Sequence, residues 1–156
     1  MKKLLLFLVL ISNVLFSQMP DISNVWLNNG KAYTGTIGSK EQQIKLKIDI
    51  AEQDRKNDQE YFVSGYTQVD SNYTRFEGKL KIKKYKDSGK KGSVFGEYEL
   101  AEESKGKHSG MFRGKFVYTF RWDSNSEKIV EQNIKFIGDW KSYDDTLEFK
   151  TIIKNQ

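Results

Sequence analysis

Cysteine is absent from the 156-residue chain, and histidine occurs once. Without cysteine there are no disulfides, no thiolate nucleophile and no His/Cys-rich zinc site. A lipid anchor on an N-terminal cysteine is excluded too. The lone His108 stands beside Ser109 in a polar stretch, with no carboxylate placed to orient it as a Ser/His/Asp base would need. It reads as an exposed loop residue. No phosphate-binding glycine loop or nucleotide motif occurs, and no segment shows a sustained 3.6-residue apolar period. The one unbroken apolar run, Leu4 to Leu10, is far shorter than the roughly 20 residues of a membrane span.

That run follows Lys2 and Lys3 and precedes Ser12 to Ser17, which lead to a cut before Gln18, the pattern of a secretory signal peptide over residues 1–17. Processing before Gln18 would leave a chain released to the periplasm or the medium. Zero disulfides in a secreted chain of this size, with a Lys/Asn/Ile-rich composition, point to a bacterial source. The remaining 139 residues suffice for one domain and are too few for two ordinary ones. The full chain carries 26 basic and 21 acidic residues, and without Lys2 and Lys3 the balance falls to +3. The charge is a mild bias, not the signature of a polyanion binder.

What is abundant is alternation. Period-2 patterning recurs in almost every segment after residue 30, with Gly, Asn, Asp and Ser clusters between the runs, as in a chain of β-hairpins. In "QIKLKIDI" the residues Ile44, Leu46, Ile48 and Ile50 share one face. "YFVSGYTQV" leaves its inward face open between Tyr61/Val63/Thr67 and Phe62/Tyr66. "RFEGKLKIK" and "SVFGEYEL" pair as a hairpin that sets Lys79 and Lys81 beside Glu97 and Glu99, with the residue-by-residue register open. "IVEQNIKFIGDWK" aligns Val130, Ile134, Phe136, Gly138 and Trp140, and "TLEFKTII" aligns Leu147, Phe149, Thr151 and Ile153. With "KAYTGTIG" and "GMFRGKFVYTFRWD" this makes eight strands over residues 31–154. Residues 18–30 form a separate N-terminal segment, in which Asn29-Gly30 is a hairpin signal that would let residues 22–27 add one extra strand. An aromatic two before a glycine recurs in several strands (Tyr33-Gly35, Phe76-Gly78, Phe112-Gly114, Phe136-Gly138), which suits a sheet that curls on itself. The expected fold is all-β, a single antiparallel up-and-down barrel of about eight strands.

The segment "GMFRGKFVYTFRWD" puts Phe112, Phe116, Tyr118, Phe120 and Trp122 on one face. Rings of about 150–250 Å² each would together exceed any ordinary exposed patch, so most of them belong inside. The segment is also longer than a usual strand, so it either bends at Gly114 or projects, leaving Phe120 and Trp122 as a rim.

Chemistry is thin. "DSNSE" spaces Asp123, Asn125 and Glu127 like calcium ligands but has Lys128 where the loop needs glycine, so it reads as a hairpin turn. Glu97 and Glu99 fall on the charged face and Glu102 and Glu103 in turns, so no carboxylate pair for glycoside chemistry is expected. Lys79 to Lys91 form the most basic stretch and read as a solvated outer face, not a nucleic-acid surface.

Trp140 in "FIGDW", the Gly-x-Tyr and Gly-x-Trp rhythm and the strand count resemble the layout of avidin-like and lipocalin-like barrels across residues 31–154. The Gly-x-Trp here stands on the next-to-last strand, not the first as in lipocalins. The resemblance implies a carrier of a small apolar ligand, with Tyr98, Tyr118, Gln132 and Trp140 as inward candidates and Trp122 at the rim. Two other readings stand beside it. The leading one is a non-catalytic binding module with a filled barrel that presents its surface to an envelope or extracellular protein. Barrel-shaped periplasmic lysozyme inhibitors resemble it in size and address, although the chain lacks their acidic face. The other is an eight-stranded outer-membrane barrel, which would crowd lysines into a narrow lumen. No enzyme activity, metal or cofactor is expected, and a monomer is expected over an obligate oligomer.

Overall fold

The computed structural model describes residues 19–106 and 108–156, so the signal-peptide reading of 1–17 lies outside the described residues. Eight strands follow one another: β1 Tyr33–Ile37, β2 Gln42–Gln53, β3 Glu60–Val69, β4 Asn72–Asp87, β5 Lys91–Glu102, β6 Gly110–Asp123, β7 Lys128–Ser142 and β8 Glu148–Lys154. Each pairs antiparallel with the next, and β8 returns to β1, so the sheet is a closed up-and-down barrel. Among the described residues no helix is long and apolar enough to cross a membrane.

The alternation resolves as expected in most strands. Ile44, Leu46 and Ile48 on β2, Leu80 and Ile82 on β4, and Phe112, Phe116 and Tyr118 on β6 are all buried in the lumen. On β3 the inward face is Tyr61, Val63 and Thr67, while Phe62 points out. The two segments pair as a hairpin, and the register sets Lys79 opposite Glu99 and Lys81 opposite Glu97. The ion pairs are not these direct hairpin partners: Lys81 meets Glu60 on β3 at 2.6 Å, Arg113 on β6 meets Glu99 at 2.9 Å, and across the hairpin itself Lys83 meets Glu97 diagonally at 3.2 Å. Exposed pairs of this kind contribute little to stability. Their place on the outer face, with rings and aliphatics inside, is the reverse of the polarity that a lipid-embedded barrel requires.

Two apolar residues leave the expected face because the pairing slips. Between Ile48 and Ile50 the β2–β3 register shifts, so Ile50 turns outward and Ala51 packs against the core instead. A second shift, between Arg121 and Trp122, accompanies the exposure of Val130 on β7. One extra residue in a period-2 strand reverses every side chain beyond it.

Strand β6 runs without a break, and projection is the outcome. β1 and β8 have only 5 and 7 residues, whereas β4, β6 and β7 have 16, 14 and 15. The long strands overshoot the barrel at one end, where Trp122 and Tyr85 are exposed.

The extra strand at residues 22–27 is corrected. Ser23–Trp26 is a short helix, α1, and Asn28–Gly30 a 3-10 turn. Asn29 and Gly30 do take the positive φ of a hairpin turn, at 55° and 75°. The segment before them has no strand to join, because β1 already pairs with both β2 and β8 and a closed barrel offers no free edge. Trp26 is drawn into the lumen instead, and the Tyr33 hydroxyl donates to its carbonyl oxygen at 2.8 Å.

Glycine has a steric role where β6 meets β7. Gly114 and Gly138 are direct partners, and a Cβ on Gly138 would collide with the Arg113 carbonyl. Gly138→Val is therefore expected to lower stability by about 2 kcal/mol through backbone displacement. Urea unfolding checks this, and an unchanged midpoint would contradict the close approach.

Candidate functional site

The two ends of the barrel differ. At the end where the long strands project, α1 inserts Trp26, fully buried, into a nest of rings: Tyr61 at 5.7 Å, Phe116 at 5.1 Å and Tyr118 at 6.2 Å, all edge-on. Tyr33, Tyr98, Phe116 and Phe136 continue the filling along the axis through edge and tilted contacts. The plugged end and the middle of the lumen are packed.

The opposite end holds a cavity of about 390 Å³. Ends of all eight strands or the loops beside them wall it, with Thr67, Asp70, Glu102, His108, Trp140 and Phe149 as its chemically distinctive groups. Glu102, at the end of β5, is 7% exposed. The Thr67 hydroxyl donates to its Oε1 at 2.5 Å, and the Trp140 indole N–H and the Gly110 amide donate to its Oε2 at 2.8 and 3.1 Å. The carboxyl thus ties β3, β5, β6 and β7 together across the mouth. Burial raises its pKa above the ordinary carboxylate value, and the three donors act against that rise. The rim is held as well: the Tyr143 hydroxyl donates to the Glu102 carbonyl, and the Tyr143 amide to the Ser109 carbonyl at 3.1 Å.

The Trp140 ring lies beneath Phe149, with ring centres 5.7 Å apart and planes 10° from parallel, and Phe149 keeps 36% of its surface exposed. Asp70 sits in the β3–β4 turn at φ 52° and accepts from the Gln42 amide at 3.2 Å. His108 is exposed, as a loop histidine should be.

Of the five residues expected to line a pocket, only Trp140 reaches the mouth. Tyr98 and Tyr118 are buried filling of the lumen, and burial pushes both hydroxyls up to about 12. Gln132 is half-buried toward the plugged end, where its carbonyl accepts from Asn155. Trp122 is 41% exposed on the overshooting strands. Inward direction alone is what Tyr98, Tyr118, Gln132 and Trp140 share, and height along the axis separates them.

Glu102 was expected in a turn and is instead the buried centre of the mouth. The signal was present in β5: Val94, Gly96, Tyr98 and Leu100 alternate inward, and the next inward position is 102. A larger concavity of about 720 Å³ lies on the outer face around Gly78 and Gly114, walled by side chains of the ion pairs described above. It is a gap left by glycines between long charged side chains whose heads are paired with one another on the outer face.

The fold and its mouth define a small closed antiparallel barrel, plugged at one end and concave at the other. No protein-family model matches the chain, and no curated protein or solved structure matches it.

Proposed function

We propose that this is a non-catalytic, secreted or periplasmic binding barrel that holds a small ligand in the Glu102 mouth. The observation that carries the reading is the cavity of about 390 Å³ at the unplugged end, where aromatic walls meet a buried carboxyl. Its size falls within the range of small-molecule sites, about 300–1,000 Å³, and it combines apolar walls with few, convergent polar groups. Both Glu102 oxygens are engaged by fixed donors, which suits holding better than proton transfer. The likeness of layout to avidin-like and lipocalin-like barrels agrees with a carrier, and the outward lysines weigh against a lipid-embedded barrel.

The test is native mass spectrometry of the protein purified from its own source, beside Leu147→Trp, whose larger ring would fill the mouth. The wild type is expected to carry a bound mass that the variant loses while keeping its melting temperature. Absence of any bound mass, with no amide shifts on titrating small aromatic compounds, would overturn the reading.

A second reading, the interaction module, draws on Tyr85, Trp122, Ile129 and Val130, which are exposed on the overshooting strands at the plugged end. Pull-down from an envelope fraction addresses it. Recovery that survives Trp122→Ser would count against this surface.

A further inference from the structure

We propose that the mouth selects a small organic cation, an ammonium group carried on a compact apolar or aromatic body. This rests on the mouth being the binding site, and goes beyond it by naming the ligand's charge.

Three observations converge. First, among the described residues the walls contain two carboxylates, Asp70 and Glu102, and no lysine or arginine. The chain as a whole has more basic than acidic residues, 26 against 21. Among the described residues an anion entering the mouth would meet two carboxylates and no lysine or arginine, with His108 as the one basic group of the wall. Second, Glu102 is buried with three hydrogen-bond donors, and among the described residues no cationic side chain forms an ion pair with it. A buried carboxylate is costly unless paired with opposite charge, so an incoming ammonium gains the attraction that the protein itself leaves unused. Third, aromatic rings stand beside that carboxyl. The Trp140 indole touches it directly, Phe149 stacks on Trp140, and Phe112 adds a further ring to the wall. Ring faces attract ammonium groups and accept the apolar body of the same ligand. A neutral apolar ligand would use the rings and leave Glu102 uncompensated.

The experiment titrates the mature protein with three probes of one shape, 3-phenylpropylammonium, 3-phenylpropanol and 3-phenylpropionate, following the Trp140 indole and mouth amides by NMR. The ammonium is expected to bind at least about tenfold tighter than the alcohol, with the carboxylate weakest. Glu102→Gln is expected to erase most of that margin. Asp70→Asn, at an exposed turn where asparagine accepts positive φ, is expected to reduce it by a smaller factor and serves as the second variant if Glu102→Gln does not fold. Equal binding of ammonium and alcohol, or a margin that survives both substitutions, would overturn the cation assignment and leave the mouth as a ligand site. If no probe shifts the mouth signals, the assignment fails together with the mouth reading.

Discussion

Trp26→Ala is expected to remove about 3–5 kcal/mol of folding stability, the range for deleting a large buried ring. That is a large share of the roughly 5–15 kcal/mol that holds a typical domain together. Trp26 is fully buried and touches Tyr61, Phe116 and Tyr118 edge-on, so its loss opens a void where β3 and β6 depend on one plug. Among the described residues its indole N–H has no hydrogen-bond partner, which separates two contributions. Trp26→Phe keeps most of the ring contacts and removes the unpaired donor, so it is expected to lose only about 1 kcal/mol. Urea unfolding of both variants gives the comparison. Because the plug and the mouth lie at opposite ends of the barrel, Trp26→Phe is expected to leave ligand affinity at the mouth unchanged. A loss below about 1 kcal/mol for the alanine variant would mean that α1 does not close the barrel.

The plug shows where reading the sequence stopped short. Strand count and hairpin order follow from period 2, and so do the inward faces wherever apolar and charged residues alternate cleanly, because a half-buried strand must sort its side chains by side; Tyr61 to Val69, with rings on both faces, stays open. Closure is what that rule does not contain. Asn29-Gly30 is a sound turn signal, yet a strand before it needs a free edge, and whether β1 has one depends on β8, more than a hundred residues away. Ile50 fails for a related reason, since a single inserted residue in β2 is invisible to a pattern that assumes an unbroken ladder. The site was less legible than the fold. Tyr98, Tyr118, Gln132 and Trp140 satisfy the same inward criterion, but they stand at different heights in the lumen, and height follows from strand register and stagger. Glu102 was missed because a carboxylate was assigned by its chemistry to water, while its place in the alternation of β5 put it inside.

Glu102→Leu is expected to lose about 2–4 kcal/mol near pH 7, because it strands the Trp140 indole N–H and the Gly110 amide in a buried site. The Thr67 hydroxyl keeps a weak alternative in the Thr74 carbonyl at 3.5 Å, and leucine fills most of the volume, so a cavity adds little. Glu102→Gln behaves differently. Its amide oxygen accepts from the same N–H groups and its NH2 donates to Thr67, so it is expected to stay within about 1 kcal/mol of wild type at pH 7. The pH dependence then tests the burial. The folded state raises the Glu102 pKa above 4.5 and so holds the proton more tightly than the unfolded chain does. Stability from this group is complete below 4.5 and is lost as pH rises through the raised folded value. Asp144 runs the other way. Hydrogen bonds from Thr146 and Ser142 hold its carboxyl down at about 2, and its contribution, present above 3.8, fades as pH falls. Subtracting the Glu102→Gln curve from the wild-type curve cancels Asp144 and every other carboxylate common to both. The difference is expected to favour the wild type increasingly as pH drops from 7 toward 4.5, then to level off. A flat difference would mean that the carboxyl is solvated and that the mouth has no buried charge with which to recognise a ligand, and one that rises with pH would mean that the three donors outweigh burial.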